Sequence, residues 1–374
     1  MRQVDERIER EEEYTVKPSA MVQMRELMVL SAETGASDVH LKAGSPPVLR
    51  VNGELVAREE FEALRPDDMV RLYHQVTNDE QRTRFDRDKE LDLSYGLGGV
   101  GRFRLNVASQ RGTVTIVIRR LSSTIPDIAE LGLPEICKEL VMEPSGLLLI
   151  TGPTGSGRST TLAAMINHLN ARESRRIITI EDPIEYLLRD RRCFVTQREL
   201  GSDTLSYADA LRRALRQDPD VIMVGDMSTV ETISAALTAA ETGHLVLSTL
   251  NTIGAAQTID RLVDVFPPFQ QQQIRVQLAS VIQGVLSQVL VPLRDGSGRT
   301  AAVEVMTATP AIRNLVREGK TIQLASVIET SGRLGMQTLD QALVSLCERG
   351  LVSVDDAMQR AQNREMLRAR LRGA

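Results

Sequence analysis

Residues 146–161, GLLLITGPTGSGRSTT, carry the clearest chemistry in the chain: an apolar run breaks into a glycine-rich loop and then into a helical pattern. The spacing is that of G-x-x-x-x-G-K-[ST]. In that motif glycines let successive backbone N–H groups face a phosphate chain, a lysine reaches the outer phosphates and a hydroxyl meets Mg²⁺. Gly152, Pro153, Thr154, Gly155, Ser156, Gly157, Arg158, Ser159 and Thr160 are therefore the candidate nucleotide-binding residues, with Ser159 a candidate Mg²⁺ ligand. The lysine position holds Arg158. Arginine keeps the charge, but its planar fork is larger than the compact ammonium such a loop encloses, so binding is expected to survive better than catalysis. An ordinary glycine-rich turn between strand and helix is the plain alternative; strand, spacing, hydroxyl and helix together argue against it.

Two further apolar runs end in acids. Residues 176–180 lead directly into Glu181, Asp182 and Glu185, and residues 220–224 lead into Gly225 and Asp226. Carboxylates just past strand ends suit a phosphate site, and Asp226 suits a Mg²⁺-holding role; capping of the helical pattern over 228–240 is the competing reading for Asp226. His244 precedes a strand over 245–249, where a lone histidine more often packs or hydrogen-bonds than catalyses. Earlier in the chain Arg102, Arg104, Arg111, Arg119 and Arg120 recur with no matching acids beside them. Positive charge of this kind discourages edge pairing; the sharper reading sends one or more of these arginines to a nucleotide held by a neighbouring lobe or subunit.

Positioning these residues takes two domains, and 374 residues suffice for two cores. Residues 1–18 are charged with little to bury, which predicts a solvated extension. From 19 to 121 the pattern is that of a small α+β domain: a helix over 21–34 closed by Gly35, a hairpin about Asn52-Gly53, a helix over 66–84, and strands over 91–95, 102–109 and 114–118. A linker over 122–132 follows. From 133 to 374 strands first alternate with helices, which predicts an α/β domain whose largely parallel sheet has the glycine loop at a strand's carboxyl end. Past residue 250 the periodicity is helical, over 255–265, 270–289, 310–318, 339–349 and 353–370. With 42% hydrophobic and 25% charged residues the composition is that of a soluble globular protein, and the apolar runs are too short for insertion across a membrane. A net charge of −5 with 3% aromatic residues disfavours a nucleic-acid surface. The N-terminus lacks a signal-peptide core, and Cys137, Cys193 and Cys347 are too scattered for a zinc site, as in a reducing cytoplasm.

Over residues 20–365 the chain resembles one family, the type IV pilus retraction ATPases (the PilT family) of the hexameric secretion ATPases. The resemblance is carried by GASDVHLKAGSPPVLRVNGEL in the first domain, GPTGSGRSTTLAAM at the glycine loop, ITIEDPIEY, DPDVIMVGDM, AAETGHLVLSTLNT and, from Ala311, AIRNLVRE. It implies a PAS-like N-terminal domain, a RecA-like P-loop ATPase core with a helical C-terminal region, and a homo-hexameric ring with ATP and Mg²⁺ between the domains. It implies catalytic roles for Glu185 as base, Asp226 in place of the Walker B glutamate and His244 as the first box histidine, with Arg102, Arg104 and Arg119 contacting ATP. A pilus inner-membrane platform protein and a paralogous retraction ATPase are the implied partners, at the cytoplasmic face of the membrane. Four departures cluster at the chemistry: Arg158 for lysine, Asp226 for glutamate, Ser228-Thr229 for Arg-Asp, and Asn251 for the second histidine. Asp226 is one methylene short and Asn251 cannot carry a proton. A slow ATPase that drives retraction and twitching motility fits these residues, and so does a pseudo-ATPase serving an active paralogue. A nucleic-acid motor on the same core fits the acidic balance less well.

Overall fold

The structure, a computed structural model, describes residues 22–51, 53–121 and 124–372. The extension expected over 1–18, the turn residue Asn52 and the start of the expected linker lie outside the described residues. The chain divides into two compact units, residues 1–123 and 124–374.

The first unit runs α1 (Met24–Glu33), β1 (Asp38–Leu41), β2 (Val48–Val51), β3 (Glu54–Ala57), α2 (Pro66–Val76), α3 (Asp79–Asp88), β4 (Glu90–Leu97), β5 (Gly101–Gln110) and β6 (Thr113–Arg120). Its six strands form one sheet in the order β3-β2-β1-β6-β5-β4, with every neighbour antiparallel. Period-2 alternation decides what each strand buries: Phe103, Leu105 and Val107 of β5 and Ile116 and Ile118 of β6 join Leu27, Met28, Met69 and Leu72 of α1 and α2 in the core. Arg102 and Arg104 alternate with those core residues along β5. The single helix expected over 66–84 is two helices, because the Asn78 side chain accepts from the Gln81 N–H and starts α3 afresh.

The second unit runs α4 (Ile136–Leu140), β7 (Gly146–Thr151), α5 (Arg158–Asn170), β8 (Arg176–Glu181), β9 (Phe194–Glu199), α6 (Tyr207–Ala214), β10 (Val221–Val224), α7 (Val230–Glu241), β11 (Leu245–Leu250) and α8 (Ala255–Asp264). It continues through α9 (Pro268–Val281), β12 (Ile282–Pro292), β13 (Arg299–Thr307), α10 (Pro310–Glu318), α11 (Leu324–Thr330), α12 (Leu339–Glu348), α13 (Val354–Arg360) and α14 (Arg364–Arg372). The seven strands lie in the order β13-β12-β7-β11-β10-β8-β9, parallel throughout except for the antiparallel β12–β13 pair. β7 is buried along its whole length: Leu147 and Leu149 face one core, Leu148 and Ile150 the other. A strand covered on both faces has no polar side, which is why it reads as an unbroken apolar run.

Two expectations are corrected. The helical run expected over 270–289 is helix only to Val281; Ile282 opens β12, which lies beside β7 and turns through Asp295-Gly296-Ser297-Gly298 into β13. A short buried apolar run has no polar phase to separate strand from helix, and here sheet pairing wins. The helix expected over 353–370 is two helices, since the Asp340 carboxylate takes the N–H groups of Gln362 and Asn363 at 2.9 and 2.8 Å between α13 and α14.

Candidate active site

The loop between β7 and α5 has the geometry that the glycine spacing demands. Gly152 sits at φ +146, and a Cβ there would stand 2.2 Å from the Gln288 carbonyl oxygen and 2.6 Å from Ser156 Oγ, so no other residue fits. Gly157 caps α5 in the left-handed region, and no side chain satisfies the first N–H groups of the helix. Those groups carry the positive end of the helix dipole, a natural seat for phosphate. Ser156 Oγ is buried without a hydrogen-bond partner among the described residues, an orphaned polar atom inside the same loop.

Gln288 of β12 holds the loop from behind, a role invisible along the chain because its segment reads as helical. Its Nε2 donates to the Ser156 carbonyl at 2.6 Å, and its Oε1 accepts from Thr161 Oγ1 at 2.9 Å. At 1% exposure the amide is fully committed to this task.

Arg158, Ser159, Glu185 and Asp226 line one cavity of about 230 Å³, together with Glu181, Asp182, Tyr186, Gln197 and Tyr207. The parallel strands β7, β8, β10 and β11 aim their carboxyl ends at it, which is how an open α/β sheet builds a crevice. Glu181, the last residue of β8, and Glu185 beyond it stand differently. Glu181 is buried and accepts from Thr179 Oγ1 at 2.6 Å and Gln197 Nε2 at 2.9 Å. Glu185 is exposed on the cavity wall and makes no hydrogen bond with another described residue, so its carboxylate remains available to solvent. Tyr186 ties this segment to the loop through a 2.9 Å contact between its hydroxyl and Thr160 Oγ1. A second cavity of about 630 Å³ opens beside Gly157, Thr160 and Thr161, walled by Leu131, Leu290, Arg299 and Arg349.

Asp226 does not cap α7; Thr229 does, its hydroxyl accepting from the Thr232 N–H. One Asp226 oxygen accepts from Ser228 Oγ at 2.5 Å, so half of the carboxylate is already engaged. Burial pushes the Tyr207 phenol above its usual range, and the charges of Asp182, Asp226 and Glu181 add to the shift. It stays protonated beside these acids, and its oxygen would lie 3.1 Å from a Cβ on Gly225.

The Arg158 guanidinium bends back onto the chain. Nη1 donates to the Gly152 and Leu250 carbonyls at 2.8 Å each and to Asn251 Oδ1, so the arginine and the asparagine, two separate oddities of the sequence, are partners. Burial lowers the Arg158 pKa, and the charges of Asp226 and Glu185 work against that.

His244 and two arginines of the first unit have partners of their own within the chain. His244 precedes β11, and Nδ1 lies 2.9 Å from the Ala239 carbonyl. β11, six residues at ~3.3 Å each, places it roughly 20 Å from Asn251 within one chain. Two of the arginines meet acids: Arg119 Nε donates to Asp38 at 2.8 Å and Arg104 lies 3.8 Å from Asp92. Asp38 comes from β1, distant from β6 in sequence but its neighbour in the sheet, and Asp92 from β4, the strand before β5.

Residues 18–359 match the family described as "Type II/IV secretion system protein". The chain is 49% identical to the type IV pilus retraction ATPase PilT of Pseudomonas aeruginosa over 90% of this chain and 97% of that one. It is 40% identical to the type IV pilus ATPase PilU of the same organism, over 93% and 91%. A crystal structure of the pilus retraction motor PilT with bound ADP superposes with a TM-score of 0.87 at 45% identity, covering 93% of this chain and 99% of that one. A glycine loop closed by Gln288, with acids gathered at the strand ends beside it, thus sits in a chain that matches these proteins almost end to end: it belongs to the type II/IV secretion system protein family, among its PilT-type ATPases.

Proposed function

We propose that the chain is a retraction motor of the type IV pilus that binds ATP and ADP at the glycine loop and hydrolyses ATP slowly. The observation that carries this reading is the convergence of Arg158, Ser159, Glu185 and Asp226 on one cavity at the carboxyl ends of the parallel strands. The loop N–H groups and the α5 N-terminus hold the inner phosphates, and the second cavity, beside Thr160, takes the nucleoside end. The donors present fit Mg²⁺: Ser159 offers a hydroxyl and Asp226 a carboxylate, hard oxygen ligands both. A bound Mg²⁺ would neutralise charge on the outer phosphates. Glu185, unengaged and exposed, accepts a proton from the attacking water. Arg158 faces the outer phosphate but is partly spent on the chain's own acceptors, which slows turnover.

In this reading six copies form a ring at the cytoplasmic face of the membrane, working on a platform protein of the pilus machine beside a PilU-like paralogue. Arg104, more loosely paired than Arg119, is the arginine available to a nucleotide on a neighbouring copy. A second reading, an accessory subunit that binds nucleotide without hydrolysing it, is favoured by one observation: Arg158 Nη1 already has three chain acceptors. Steady-state phosphate release, run beside Glu185→Gln with the mass in solution followed by light scattering, separates the two. The motor reading expects a ring with slow release that Glu185→Gln abolishes while ADP binding stays. No release from the parent protein supports the accessory reading, and equal loss of binding in Glu185→Gln reassigns that residue to structure.

A further inference from the structure

Arg158 and Asn251 are 93 residues apart in sequence and hydrogen-bonded in the structure. Both stand at positions where the family resemblance leads one to expect something else, a lysine and a histidine. Their meeting makes them one change. A guanidinium extends further than an ammonium and presents a planar fork, so Arg158 reaches past the loop to the end of β11, where Leu250 offers a carbonyl and Asn251 an amide oxygen. A histidine at 251 would set a ring that is partly cationic near neutral pH against this guanidinium; the asparagine sets a neutral acceptor there. All three bonds fall on Nη1, and Nε and Nη2 make none with the described residues.

We infer that Asn251 is a specificity-determining residue of this site: it holds the Arg158 guanidinium in competition with the outer phosphate and so sets how strongly the loop prefers ATP over ADP. The inference rests on the reading of the loop as a nucleotide site. An inner-phosphate ligand contacts the backbone cradle and leaves the pair in place. Where an outer phosphate takes Nη1 in place of the amide oxygen, the lost bond offsets part of the gain. A hydrogen bond to a charged group is worth about tenfold or more in an equilibrium constant, enough to decide the preference.

The test is calorimetric binding of ADP and of a non-hydrolysable ATP analogue, with Mg²⁺, to the full chain and to Asn251→Leu and Asn251→Asp, each also carrying Arg158→Lys. The unfolding midpoint of each nucleotide-free protein confirms that it is folded. Asn251→Leu removes the acceptor and is expected to raise the preference for the analogue over ADP by about tenfold, with ADP affinity unchanged. Asn251→Asp keeps the acceptor, adds a charge and is expected to lower the preference. With lysine at 158 both effects shrink, the coupling expected of residues in contact. A merely structural asparagine would give losses and no gain. An unchanged or reduced preference in Asn251→Leu, or equal shifts in both backgrounds, overturns the inference while leaving the nucleotide site standing. Failure of the parent chain to bind ADP or the analogue overturns both.

Discussion

Arg158 shows how one residue can be read correctly for type and incompletely for context. Its identity, and the expectation that binding outlasts catalysis, come from the motif alone; its bond to Asn251 depends on β7 and β11 being neighbours in the sheet, which no local pattern records. The same holds for Arg119. Beside its neighbours in sequence it looks unpaired, yet it meets Asp38 across the β1–β6 register, where Asp38 is 7% exposed and Arg119 65%. Burial alone would raise the Asp38 pKa; the Arg119 and Ser37 hydrogen bonds, with the Arg119 charge, outweigh it and hold the carboxyl below its ordinary value of 3.8. Its stabilising contribution is therefore complete above that value and lost as pH falls through the lower, folded-state pKa. Arg119→Ala leaves the buried carboxylate with the Ser37 hydroxyl and no cation, and is expected to cost about 1 kcal/mol at neutral pH. Chemical denaturation at pH 7 and at about pH 3 should show the gap between parent and variant closing in acid, as Asp38 takes up a proton in the variant. An equal gap at both values would deny the pair its role.

Among the elements, β7, its loop and α5 were legible because three independent signals coincide: a doubly buried strand, glycines at fixed spacing and a helical pattern starting at the hydroxyl. The strands before Glu185 and Asp226 were legible as buried apolar runs that end in acids. β12 and β13 were not, and with them went Gln288, the residue that fixes the loop from behind. A motif gives order along the chain but not strand direction, and β11 runs from His244 towards the site. At this scale Gly152 makes the clearest prediction. A Cβ placed 2.2 Å from the Gln288 carbonyl oxygen forces the loop open, so Gly152→Ala should lose nucleotide binding while circular dichroism and the unfolding midpoint remain close to the parent. Gly155→Ala meets nothing within 4 Å and strains only its own φ of +79, so it should bind nucleotide with a modest loss, about tenfold at most. Comparable loss in the two variants would mean that the Gln288 contact does not govern the loop.

At the scale of the whole molecule, the division into an antiparallel α+β unit and a parallel α/β unit followed from the change in periodicity along the chain, and the family followed from motifs spread over both. In the proposed ring, energy transduction needs a site that distinguishes ATP from ADP, and the inferred hold of Asn251 on Arg158 would reduce that distinction. The most direct test measures, on the unaltered protein with Mg²⁺, the dissociation constants of ADP and of a non-hydrolysable ATP analogue together with the steady-state turnover of ATP. The account predicts that ADP binds, that the analogue binds within about tenfold of it, and that turnover falls below the roughly 1 to 10³ s⁻¹ typical of enzymes. An analogue bound far more tightly than ADP, with turnover inside that range, would contradict it and leave a retraction motor with an undiminished site.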